Sequence, residues 1–316
     1  MQAYIVRRLL ALIPTLFFAS LIVFVSVRLI PGSVIDLMLS QNDIAVGKDR
    51  AVIETALGLD RPMHVQYLHW AGAALQGDLG RSLWNSTPVT EPLAARLPVT
   101  LELGALALVV GLIVALPIGV YSAIRQDTAG DYVTRSFSIL MLAIPSFWLG
   151  TLVMVFPSIW WGWSPEIQYS PFTQNPFKNL SQMILPAVIL GTSLSAVTMR
   201  FTRTMMLEVL RQDYVRTAWA KGLGERLVVT RHALRNALIP VITLIGLQAP
   251  ILIGGAVIIE QIFVIPGMGL LLLEAVNQRD YPVITGVFLV VGVCVMLINL
   301  LVDLTYGILD PKVRYR

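Results

Sequence analysis

Residue types that could carry covalent chemistry are few in this chain and poorly spaced for it. His64 and His69 are five positions apart and do not share a helix face, and His232 stands alone in a basic stretch. None has cysteine or acidic partners at metal-ligand spacing. No G-x-x-x-x-G-K-[ST] phosphate loop, H-E-x-x-H or G-x-S-x-G occurs, and the single cysteine, Cys294, falls inside an uncharged run. Catalytic, metal and cofactor sites are therefore all expected to be absent. What remains is a cationic cluster suited to non-covalent docking. Between Arg200 and Arg235 lie seven arginines and one lysine (Arg200, Arg203, Arg211, Arg216, Lys221, Arg226, Arg231, Arg235) against three acids, Glu208, Asp213 and Glu225. In a chain only 13% charged, this is the one substantial cationic segment. A basic stretch between spans often serves as a topology signal and nothing more. Here it also carries architecture. Good helix formers run from Glu208 to Lys221, and Gly222 and Gly224 offer left-handed, helix-stopping positions. A second helical run follows from Glu225, with Leu227, Val228, Leu234 and Leu238 as an uneven apolar stripe. Helix, glycine turn, helix is the expectation.

The elements that position this island are long uncharged runs. Hydrophobic residues make up 56% of the 316, and a spanning helix needs roughly 20 predominantly apolar residues. Leu9–Val27, Leu103–Ile124, Ser136–Trp163, Leu180–Met199, Asn236–Ile259 and Tyr281–Val302 each meet this without a charged side chain. Six transmembrane helices follow, the first read as a retained span and not as a cleaved signal, since no A-x-A-like site follows it. The net charge of +4 lies at span edges, so it reports orientation, and no nucleic-acid partner is expected. Arg7 and Arg8 put the N-terminus in the cytoplasm. Alternation then places Gln126–Asp131, the island and the basic tail Asp310–Arg316 inside.

Proline interrupts the spans at Pro117, Pro145, Pro157, Pro186, Pro240 and Pro250, and glycine recurs at Gly246, Gly254 and Gly255. Such breaks persist where neighbouring helices or water re-satisfy the backbone. Gln248, Glu260 and Asn299 are polar groups at or near span depth, with Gln261 and Asp303 beside span ends. They suit either a translocation path or packing between helices. The external segment Pro31–Pro98 contains a turn at Gly58-Leu-Asp-Arg-Pro62, with Pro62 opening a short helix. That helix aligns Met63, Tyr67, Trp70 and Ala74 on one face, as a packing cap or as a contact surface. Leu270–Asn277 is expected to be a short outer helix.

The island's words are Asp213-Tyr214-Val215-Arg216-Thr217-Ala218, Ala220-Lys221-Gly222-Leu223 and Arg231-His232-Ala233-Leu234-Arg235-Asn236-Ala237-Leu238-Ile239-Pro240. They resemble the cytoplasmic loop of permease subunits of binding-protein-dependent ABC importers, most nearly the dipeptide, oligopeptide, glutathione and nickel (peptide-type) group. The general pattern there is Glu-Ala-Ala, then glycine, then Leu-Pro. Here Arg216 and Thr217 replace the first two residues and Ile239-Pro240 ends the motif, and the spacing from Gly222 to Pro240 is longer than in sugar importers. Similar words recur along the chain, among them Gly77-Asp78-Leu79-Gly80, Arg96 to Leu103, Pro266-Gly267-Met268-Gly269 and Arg279-Asp280-Tyr281-Pro282.

The resemblance implies an all-α integral membrane protein of the type I ABC importer permease fold, with both termini cytoplasmic. Its parts would be residues 1–95 (first helix and extracytoplasmic segment), 96–310 (core, with coupling loop 206–236) and a tail, 311–316. It further implies an ATPase-coupling surface of Asp213, Arg216, Ala218, Lys221, Gly222, Glu225, Arg226 and His232. Gln248, Glu260 and Asn299 are carried as path residues. The implied partners are a second homologous permease, two cytoplasmic ATP-binding subunits, an extracytoplasmic substrate-binding protein and membrane lipid, in a bacterial or archaeal inner membrane. The chain would be a transport subunit and not an enzyme. A stand-alone secondary carrier or channel is the alternative, and a non-transporting scaffold a third reading.

Overall fold

A computed structural model of the chain describes residues 2–29, 60–166 and 168–309. The expected turn at Gly58, the start of the external segment at Pro31 and the tail Asp310–Arg316 lie outside the described residues. Among the described residues the regular elements are helices, with one isolated bridge between Arg81 and Pro88. In chain order they are α1 (Gln2–Arg28), α2 (Met63–Leu75), α3 (Thr90–Ile124), α4 (Ala129–Ala143), α5 (Ser146–Trp161), α6 (Pro176–Leu210) and α7 (Asp213–Ala220). A helical run Glu225–Leu227, continued by Val228–Leu234, leads into α8 (Arg235–Phe263). Then come α9 (Met268–Gln278) and α10 (Tyr281–Leu309). Among the described residues five helices are long and apolar enough to cross a membrane, and up to seven spans result if each of two bent pairs counts as one.

One expected span is not straight. Ser136–Trp163 is divided into α4 and α5, which meet at 87°. Pro145 is the cause. It lacks an N–H and disfavours a helical residue before it, and Ile144 is accordingly extended at φ −91° and ψ 118°. Another span is longer than its apolar stretch. Asn175 caps α6 by accepting from the Lys178 N–H at 3.1 Å, and Pro176 occupies the first turn, where its missing N–H costs nothing. From there α6 continues past Met199 to Leu210, carrying Arg200 and Arg203 on the same rigid helix as the span. The expected helix from Glu208 to Lys221 is thereby corrected. Its first residues belong to α6, the chain turns at Arg211–Gln212, and α7 starts afresh at Asp213, with Gln212 extended.

The chain divides into two compact units. One comprises Thr100–Ile265 and Leu297–Arg316. Within it α6 packs on α8 and α4, burying Met183, Ala187, Leu190 and Leu194. α3 and α6 touch at backbone distance: a Cβ on Gly191 would lie 2.7 Å from the Ala107 carbonyl. That approach is what small residues permit between spans. The other unit comprises Gln2–Val99 and Pro266–Met296. Its core joins Val89 and Leu93 to Met268, Val283, Ile284 and Val287. α2 lies on α1 through Phe24, Tyr67 and Trp70, whose rings sit 5.3–6.2 Å apart, and Tyr67 shares a 2.9 Å hydrogen bond with Ser20. Pro62 is the N-cap of α2 and not its first helical residue, so the helix begins one position later than expected, and Met63 is exposed while Tyr67 is buried.

Candidate functional site

α7 and the turn after it form a short amphipathic hairpin. Val215 and Ala218 are buried, and they meet Val228 with Leu223, Val209 and Leu210 around them. An eight-residue helix is too short to stand alone in water, so this small apolar contact is what holds α7. Its other face is open: Tyr214, Arg216, Thr217, Trp219 and Lys221 are all exposed. The helix ends as the Lys221 N–H bonds the Thr217 carbonyl (3.1 Å) and the Gly222 N–H bonds the Trp219 carbonyl (2.9 Å). Gly222 has φ +77°, a left-handed value that L residues rarely adopt, and nothing stands within 4 Å of where its Cβ would be. Gly224 departs from expectation. At φ −66° and ψ 151° it is extended, capping the next helical run without left-handed geometry.

The second arm of the hairpin also differs from its expected stripe. Val228–Leu234 winds as a π-helix, whose wider turn admits an extra residue and shifts the buried face. The inward residues are therefore Val228, Val229, Ala233, Ala237 and Val241, while Leu227 is 41% exposed. Polar links tie the two arms. Asn236 donates to the Tyr214 hydroxyl at 2.8 Å and to the His232 carbonyl at 3.3 Å.

Of the residues expected to make the coupling surface, Arg216, Lys221, Gly222 and Arg226 are exposed. Asp213 is exposed as well and pairs with Arg216 at 3.5 Å, an interaction worth little at 96% exposure. Ala218 is buried and forms the floor beneath that surface. His232 is half-buried in the π-helical turn. Glu225 reaches a residue missing from the sequence reading, Arg125 at the end of α3, at 3.3 Å. The α3–α4 turn that follows Arg125 is itself locked. Asp131, fully buried, accepts from Arg203 of α6 through Nε (2.9 Å) and Nη2 (2.7 Å). It also accepts from the Ser122 hydroxyl and the Asp127 N–H. A bidentate guanidinium–carboxylate pair with its remaining lone pairs satisfied has fixed geometry. The hairpin, the α3–α4 turn and α6 thus form one connected polar assembly.

The three residues expected along a path are dispersed. Gln248 donates to the Thr198 hydroxyl at 3.1 Å, joining α8 to α6. Glu260 is fully buried and accepts from Thr100 Oγ1 at 2.5 Å. Asn299 is exposed on α10. Arg125 and Trp219 have no place in the sequence expectation, while Tyr214 and Asp131 appear there without a site role. The Arg203 and Asp131 charges were visible as charges, but nothing in a linear sequence says that the two meet.

Two family descriptions match this chain: "Binding-prot-dependent transport system membrane comp, N-term" over residues 1–104 and "Binding-protein-dependent transport system inner membrane component" over residues 115–315. The chain is 41% identical over 318 residues to the oligopeptide transport system permease protein AppB of Bacillus subtilis strain 168, covering 100% of both. It is 38% identical over 339 residues to the dipeptide transport system permease protein DppB of Escherichia coli K12, again covering 100% of both. The inward-facing MetNI methionine ABC transporter shares the fold, with a TM-score of 0.58 at 16% identity over 69% of this chain and 96% of that one. By these matches the chain belongs to the family of binding-protein-dependent transport system inner membrane components.

Proposed function

We propose that this permease forms, with a homologous second permease, the alternating-access path for peptides or related small solutes. An external binding protein delivers the solute, and two ATP-binding subunits on the cytoplasmic side supply the work. The observation that carries this reading is the α7 hairpin: a short helix with a buried floor (Val215, Ala218), a left-handed turn at Gly222, and an exposed cationic and aromatic face. Such a face suits a cleft on a partner subunit, because aromatic and arginine side chains anchor protein interfaces.

The mechanism follows from how the hairpin is held. Closure of the two ATP-binding subunits pushes α7. α7 cannot slide freely, because Val215 and Ala218 press on Val228 at the base of the run leading into α8. The push passes to α8 directly, to α3 through Glu225 and Arg125, and to α6 through the Asp131–Arg203 lock. Three spans then move together and the path rocks from inward-facing to outward-facing. The permease breaks no bond of the solute. Peptides enter this reading from the names of the relatives, which are oligopeptide and dipeptide permeases at 38–41% identity over the whole chain.

The test is mild-detergent purification of the chain expressed with its genomic neighbours, followed by mass spectrometry of what stays bound. ATPases bearing phosphate loops, a second permease and a binding protein are the expected companions. Recovery of this chain alone as a stable homo-oligomer would overturn the proposal in favour of a stand-alone carrier.

A further inference from the structure

A cationic cleft between α4 and α6 is used neither by the hairpin nor by the path residues. Arg135, Ser138 and Ile139 line it from α4, and Arg200, Arg203 and Thr204 from α6, around a volume of about 400 Å³. Arg203 spends its charge on Asp131. Among the described residues, no carboxylate pairs with Arg135 or Arg200. Arg135 lies over the Tyr132 ring at 5.7 Å, which leaves its donors free for other contacts. Guanidinium stays protonated at any working pH, so the cleft holds two positive charges without a counter-ion.

Its height in the membrane narrows the occupant. Arg135 immediately precedes the uncharged run Ser136–Trp163, and Arg200 immediately follows the uncharged run Leu180–Met199. Both arginines therefore stand where the apolar layer ends, at headgroup level. Beside the cleft, Val197, Phe201 and Leu244 line an adjoining groove that shares Arg200 and Thr204, and Ile139 is 62% exposed at the rim. A free anion would use the arginines and leave this apolar border idle. A phosphate carrying acyl chains uses both. Basic pockets between spanning helices are known to hold anionic headgroups. We propose that the α4–α6 cleft binds the phosphate headgroup of an anionic lipid, with Arg135 and Arg200 as its ligands and the Val197–Phe201–Leu244 border against an acyl chain. This rests on α4 and α6 lying in a membrane and not on the coupling role of α7.

The test uses the full chain purified with its co-expressed partners into nanodiscs of equal phosphatidylglycerol and phosphatidylcholine. Native mass spectrometry then counts the lipids retained. The wild type should keep phosphatidylglycerol preferentially, and Arg135→Gln with Arg200→Gln should lower that preference about thirtyfold. Among the described residues neither arginine is in an ion pair, so the melting temperature in detergent free of anionic lipid should change little. If the double variant fails to fold, Arg200→Gln alone should lower the preference about fivefold. Equal retention by wild type and variant would overturn the proposal. Displacement of the lipid by excess free dipeptide would also overturn it, by assigning the cleft to a soluble carboxylate.

Discussion

Gly222 is the residue where a single atom should matter most. Its φ of +77° is strained for an L residue, yet no heavy atom stands within 4 Å of an added Cβ. Any penalty is therefore conformational and not steric, on the order of 1–3 kcal/mol for a β-branched side chain. Gly222→Val should leave membrane insertion intact but separate ATP hydrolysis from uptake in the assembled importer. Gly222→Asn, which tolerates the left-handed region, should restore most of the coupling. Normal coupling in the valine variant would remove the turn from the mechanism. Asp280 offers a second test, in pH. It is buried, with its carboxylate accepting from the Ser82 hydroxyl (2.5 Å) and the Leu83 N–H (3.2 Å). Burial pushes its carboxyl above the usual carboxylate range despite those hydrogen bonds. The folded state therefore holds the proton more tightly than the unfolded chain, whose aspartates titrate near about 3.9. This contribution is fully present below that unfolded value and is lost as pH rises through the higher folded value. Asp280→Asn should flatten the acid side of a melting-temperature profile and raise stability at neutral pH. An unchanged profile would mean that Asp280 does not control it.

At the scale of elements, α7 depends on its floor. Val215, Ala218 and Val228 make a contact too small to survive a lost methyl pair unnoticed. Val228→Ala should cost about 1–2 kcal/mol by the usual large-to-small accounting and should speed amide exchange in residues 213–220 before the spans respond. Uniform exchange behaviour would show that α7 is held by something else. The elements also show how far the residue pattern could be read. Uncharged runs of about 20 residues specify helices reliably, because a helix is the one open-ended way to satisfy the backbone in lipid. Helix ends were less legible. α6 runs to Leu210 because polar residues with good helix propensity continue a span without any stop signal. The bend at Pro145 was visible as a proline but not as 87°, since kink angles depend on what packs around them. The π-helical turn at Val228–Leu234 has no sequence signature at all, and it moved the buried stripe from Leu227 to Val229, Ala233 and Ala237. Asp131 and Arg203 are 72 positions apart, and only folding brings such charges together.

The molecule as a whole poses the question of how often the chain crosses the bilayer. α4 and α5 either cross as one broken span or dip in and return, and the two cases assign different sides to everything after Trp161. From Ser136 onward the pair carries no charged side chain, and it breaks only at Ile144–Pro145. The uncharged run Ser136–Trp163 has the length of one crossing, for which roughly 20 residues suffice, and the backbone groups freed at the break need cover by protein or water in either case. Positive charge argues the same way. With the pair as one crossing, Arg125 and the cationic hairpin fall on one side, in keeping with the positive-inside bias. A cysteine-accessibility experiment decides it. In a Cys294→Ser background, single cysteines at Asp127, Gln174 and Trp219 are treated with a membrane-impermeant thiol reagent in sealed right-side-out vesicles. Gln174→Cys should label at once, while Asp127→Cys and Trp219→Cys should label only after the vesicles are opened. If Gln174→Cys behaves like Asp127→Cys, the pair returns to the side it entered from. In that case α7 faces outward, no cytoplasmic ATPase can reach it, and the coupling route through Val228, Arg125 and Arg203 fails together with the topology.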